Sequence, residues 1–125
     1  MSYRNLLTVS SILAFIFGLG FILMPGQLVS LYNVQLSGAG LLFAQLYGGT
    51  LFSFGLLNWF ARGFGEGAAQ QAILTANLVG DALGFIFSLI GQLGGVPEVN
   101  ALGWSTVLIY LLLTLGFAYL RFLAK

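Results

Sequence analysis

Leu6 to Met24 is an almost unbroken apolar run, interrupted only by Thr8, Ser10 and Ser11, and comparable runs follow at 38–61, 68–93 and 102–123. About 20 apolar residues suffice for a helix to cross the hydrocarbon of a bilayer, where backbone polar groups must be satisfied within the segment. The pattern predicts an all-α protein, a four-transmembrane-helix bundle forming one integral membrane domain over residues 1–125. The first run is longer than the apolar part of a signal peptide, about 7–15 residues, and ends at Met24-Pro25-Gly26 without a small-residue cleavage pattern. It is therefore expected to be retained as a span.

Between the spans, Pro25-Gly26 signals a turn. Gln27–Ser37 places Leu28, Leu31 and Tyr32 at helical spacing, which reads as a short interfacial helix, with an irregular loop as the alternative. The link from Arg62 to Gly67 is short, so the second and third spans are expected to be antiparallel neighbours. Gly94 to Asn100 is a turn-rich link to the last span. Gly20, Gly26 and Tyr47 in the first half find counterparts at Gly84, Gly91 and Tyr110, at offsets of 64, 65 and 63 residues. Two related helical hairpins, parallel copies about an axis along the membrane normal, would give this spacing. Chance matching in a Gly- and Phe-rich chain is the other reading.

Composition removes most other classes. Hydrophobic residues make up 59% of the chain and charged residues 6%, against about 25% charged in soluble domains. A chain this small has too little interior to hide that apolar surface, so lipid must cover it. There is no Cys and no His, which excludes thiol chemistry, His-based acid–base catalysis and the usual ligands of zinc and haem. No metal site and no enzymatic activity are expected. A net charge of +1 without a basic patch speaks against nucleic acid as a partner.

Within the spans, one side chain is conspicuous. Asp81 lies in QQAILTANLVGDALGFIFSLIGQ at 70–92, about 20 Å from the start of its span by the helical rise. A bare carboxylate at that depth costs at least about 2.5–3.5 kcal/mol. Asp81 is therefore expected to be neutral at pH 7 and hydrogen-bonded to a nearby polar group. Asn77 lies one turn away on the same face, Tyr47, Thr50, Tyr110 and Thr114 fall at similar depth, and Gln45 lies somewhat nearer the outer surface. Three roles are open to Asp81: a proton or cation site in a small carrier, interhelical glue, or a contact with another protein or pigment.

Small residues recur every fourth position, as close helix packing in lipid requires. Ala72, Ala76, Gly80, Gly84 and Ser88 form one series; Ala44/Gly48, Gly49/Ser53 and Ala14/Gly18 form shorter ones. Packing inside the bundle is the expected use, with association between subunits as the alternative. The 12 Phe residues are expected to face lipid or fill gaps opposite glycines, though they could also line a groove for a bound lipid, quinone or pigment.

The segments MPGQLVSLYNV at 24–34, QLYGGTLFSFGLLNWFAR at 45–62 and LGWSTVLIYLLLTLGFAYL at 102–120 resemble small, DoxX-like bacterial four-helix membrane proteins. The resemblance implies the four-helix fold and a bacterial inner membrane, and carries over no site residue. With so little extramembrane surface, the expected function is an accessory subunit packed against a larger, energy-converting membrane assembly. The alternative is a small proton-linked carrier, or a binder of an apolar ligand, using Asp81.

Arg4, Arg62, Arg121 and Lys125 all fall on one side of a four-span arrangement, and the opposite links contain no Lys or Arg. Excess positive charge marks the cytoplasmic side, so both termini are expected there. Because the chain has no Cys, single substitutions report this cleanly. In intact cells, Glu98→Cys should react with a membrane-impermeant maleimide and Ser2→Cys should not; the reverse pattern would invert the orientation.

Overall fold

In the computed structural model, which describes residues 1–124, four helices are long and apolar enough to cross a membrane, and no strand forms among the described residues. Lys125, counted in the charge argument, lies outside the described residues. The first span, α1, runs Tyr3–Leu23 and begins earlier than the apolar run, because the Ser2 side chain caps it by accepting from the Asn5 amide at 3.1 Å. A short helix, α2 (Pro25–Ser30), follows directly, its proline at the first turn where no amide is needed. The interfacial helix is thus shorter than 27–37 and starts two residues earlier. It stops where Asn33 takes a left-handed conformation, φ 64°, which Asn tolerates better than most residues.

The second span, α3, covers Gly38–Ala61. Gly67, at φ 145°, introduces the third, α4 (Ala68–Ile90), which continues through a π-helical turn, Gly91–Gly95. The last span, α5 (Gly103–Ala118), likewise ends in a π-helical turn, Tyr119–Leu123.

The helices pack as two hairpins, α1 with α3 and α4 with α5. Backbones touch in the first. A Cβ added to Gly48 would come within 2.8 Å of the Gly18 carbonyl oxygen, and one added to Gly18 within 2.9 Å of the Phe52 nitrogen. Farther along, Phe15 fills the space over Gly55 and stacks at a tilt on Phe52, ring centroids 5.2 Å apart. In the second hairpin Gly84 packs against the ring of Tyr110, which occupies the space a side chain there would need.

Other small residues do not pack helices. Ala76 is exposed, and a Cβ on Gly49 or Gly80 would meet nothing within 4 Å. Gly49 follows Gly48 by about 100° of helix, which turns it away from α1. Gly80 faces the space between the hairpins.

The hairpins meet mainly at their two ends. At the end carrying the termini, Leu6 and Leu7 of α1, Ala61 of α3, Leu74 of α4 and Phe117 of α5 form the buried core. At the other end, the Asn33 side chain donates to the Glu98 carbonyl at 3.0 Å, and Asn100 donates from its side chain to Leu31 and from its backbone to Tyr32. Despite their short link, α3 and α4 have little direct contact along their length. The two helices touch at the Asn58–Asn77 pair and otherwise stand apart around the space between the hairpins.

Replacing Gly48 with Ala should force α1 and α3 apart and lower stability by about 1–3 kcal/mol. Gly49→Ala, next to it, should have no destabilising effect. Unfolding of both variants in detergent checks the difference.

Candidate functional site

The space between the hairpins is a chamber of about 730 Å³, partly open to its surroundings. Apolar side chains from all four spans line it, among them Phe17 and Phe21 of α1, Leu51 of α3, Leu83 of α4 and Ile109 of α5. The lining follows from the hairpin geometry. Each hairpin turns one apolar face to lipid and the other inward, and the inward faces are held apart in the middle. No Arg, Asp or Glu lines the chamber among the described residues. Its polar groups are Ser10 toward the terminal end, the Tyr47 and Tyr110 hydroxyls partway along, and Ser88, Gln92, Thr106 and Tyr32 beyond them.

An amide cluster closes the terminal end. Asn58 is fully buried and Asn77 nearly so. Asn58 Nδ2 donates to Asn77 Oδ1 at 2.8 Å, and Asn77 Nδ2 donates back to Asn58 Oδ1 at 2.9 Å. The second proton of each amide is also used, by Ser10 Oγ at 3.2 Å and the Ile73 carbonyl at 2.9 Å. All four amide protons are satisfied, as hydrocarbon demands.

Asp81 stands outside this order. Its Oδ2 is buried and has no hydrogen-bond partner among the described residues, and it does not line the chamber. The groups expected to hold it are engaged elsewhere. Asn77 pairs with Asn58; Tyr47 and Tyr110 pair with each other at 2.9 Å. Thr50 and Thr114 bond back to the carbonyls of Leu46 and Tyr110, one turn earlier, as helical Thr commonly does. Gln45 donates to the Ile22 carbonyl at 3.2 Å. Gln45 and Thr50, with Gly49 and Ser53, line a separate groove of about 590 Å³ along α3. Of the seven expected site residues, the structure joins Tyr47 and Tyr110 through their hydroxyls, brings Asp81 near Tyr110 without a hydrogen bond, and sets Gln45 and Thr50 together in a different groove.

Arg121 Nε donates to Thr75 Oγ1 at 3.0 Å, which places a guanidinium level with the second turn of α4. Asp81 lies six residues farther along, about 9 Å by the helical rise. On the other hairpin, the Arg62 guanidinium sits 3.5 Å over the Trp59 ring, and its Nε donates to the Trp59 carbonyl.

Sequence reasoning missed Asn58. It lies near the end of α3, beside Trp59 and Arg62, where a polar residue reads as interfacial. No family model matches the chain, and comparisons with curated proteins and with solved structures return no match.

Asn77→Leu strands the Asn58 amide in an apolar interior and should lower stability by about 1–3 kcal/mol. The Asn58→Leu, Asn77→Leu double variant should cost less than the sum of the singles. Asp81→Leu removes an unpartnered group and should leave stability unchanged or raise it. Detergent unfolding of the four variants is the measurement.

Proposed function

We propose that this protein is an integral membrane binder of an apolar ligand, held between its two hairpins. The observation carrying this reading is the chamber: its volume of about 730 Å³ lies within the range of about 300–1,000 Å³ typical of small-molecule sites, and its lining is mostly apolar, as theirs is. Binding needs no covalent step, and the proposed role assigns none. Asp81 has no part in it, since it lies outside the chamber lining.

The cellular setting is proposed from the sequence. Arg4, Arg62 and Arg121 at one end support cytoplasmic termini, and the DoxX-like segments support a bacterial inner membrane. A second reading, an accessory subunit of a larger membrane assembly, is favoured by the α3 groove. There Gln45, Gly49, Thr50 and Ser53 present polar and small side chains on an exposed helix face, the kind of surface that helices in lipid use to associate. The chamber is the larger and more fully built of the two features.

A photoreactive alkane carrying a diazirine separates the readings. In the purified protein it should label Leu51, Ile109 and Leu113 saturably, and excess unlabelled alkane should compete. Gly80→Leu, which extends a side chain into the chamber without a clash at Cβ, should reduce that labelling several-fold. Unsaturable labelling spread equally over exposed Leu108 and Leu112 would sink the binding reading.

A further inference from the structure

The Tyr47 and Tyr110 hydroxyls lie 2.9 Å apart, and both residues line the chamber. A phenol carries one proton to donate and lone pairs to accept. Either oxygen can be the donor of the shared bond, so the pair uses one proton and leaves the other without a protein acceptor among the described residues. Asp81 is within electrostatic reach of Tyr110, but it does not line the chamber and its buried Oδ2 meets no donor. The free proton is therefore available to whatever fills the chamber.

The surroundings restrict what that is. With no Arg, Asp or Glu in the lining, a charged head group would be buried without a counter-ion, which is prohibitively costly. Tyr110 is seven residues into α5, about 10 Å from its start. Apolar side chains line both sides of it, Leu113 on one and Ile109, Val99 and Val96 on the other, where Ser88, Gln92 and Thr106 also stand. The occupant must therefore be long and uncharged, with an acceptor flanked by hydrocarbon.

We propose that the chamber takes a neutral, elongated lipid whose carbonyl oxygen accepts the free proton of the Tyr47–Tyr110 pair. This rests on the apolar-binding reading above and assigns the ligand's chemistry.

The test is competition against the photoreactive alkane by three compounds of equal length: a dialkyl ketone, an alkane and a fatty acid. The ketone should outcompete the alkane by about three- to tenfold, the worth of one net hydrogen bond, and the fatty acid at neutral pH should compete least. Infrared spectra of the bound ketone should show its carbonyl band shifted to lower wavenumber. Tyr47→Phe and Tyr110→Phe singly should each keep the shift, because the remaining hydroxyl turns its proton to the ligand. The double variant should abolish it and bring the ketone to the level of the alkane. Equal competition by ketone and alkane in the unaltered protein, or a shift that survives the double variant, would overturn the carbonyl assignment while leaving apolar binding in place. Failure of both to compete would overturn the two together.

Discussion

Two facing amides near one end of the bundle, Asn58 and Asn77, set the relation between its halves. Each donates to the other, and the remaining protons go to Ser10 and to the Ile73 carbonyl. Between apolar helices the hydrophobic effect supplies little adhesion, because lipid tails are as apolar as the side chains they replace. Hydrogen bonds across helices then carry much of the specificity, at about 0.6 kcal/mol each on average. Here they are concentrated at the terminal end, and a second set, from Asn33 and Asn100, joins the loops at the opposite end. Two fastened ends leave the middle free to stand apart.

That separation is what makes the chamber. Within the first hairpin, Gly18 and Gly48 let backbones touch and close the space completely. No equivalent contact joins the hairpins at mid-depth, where Gly80 has open space beside it and the tyrosine hydroxyls bridge what the backbones do not. A small-residue seam between α3 and α4 would have filled the chamber. The inner faces instead present aromatic and branched side chains to one another without interlocking, with a pair of phenols as the polar feature at the middle.

Much of the fold was legible from hydrophobic run lengths. The bounds 38–61 for the second span coincide with α3, because Gly38 and Arg62 mark its ends in composition as well as in structure. The short helix after the first span was readable from the spacing of Leu28, Leu31 and Tyr32, but Pro25-Gly26 read as a turn rather than as its start, and the left-handed turn at Asn33 that ends it leaves little trace in periodicity. The site was much less legible. Asp81 drew attention because an acid within a span is rare, yet its expected partners had nearer ones: the carbonyl one turn back for Thr50 and Thr114, and Asn58 for Asn77. Depth counted along one helix cannot reveal that pairing, because helix ends are not flush. Asn58 lies near the end of α3, while Asn77 lies more than two turns into α4. Tyr47 and Tyr110 were expected at the depth of Asp81, as its partners, and they meet each other instead.

The space between the hairpins is proposed to hold an apolar ligand, and the most direct measurement is native mass spectrometry of the protein taken from its membrane in mild detergent. The expected result is a one-to-one complex of the chain with a small neutral lipophile, retained at detergent levels that strip loosely bound lipid and lost in Gly80→Leu. A bare chain, or a particle held together with another polypeptide and carrying no small molecule, would contradict it.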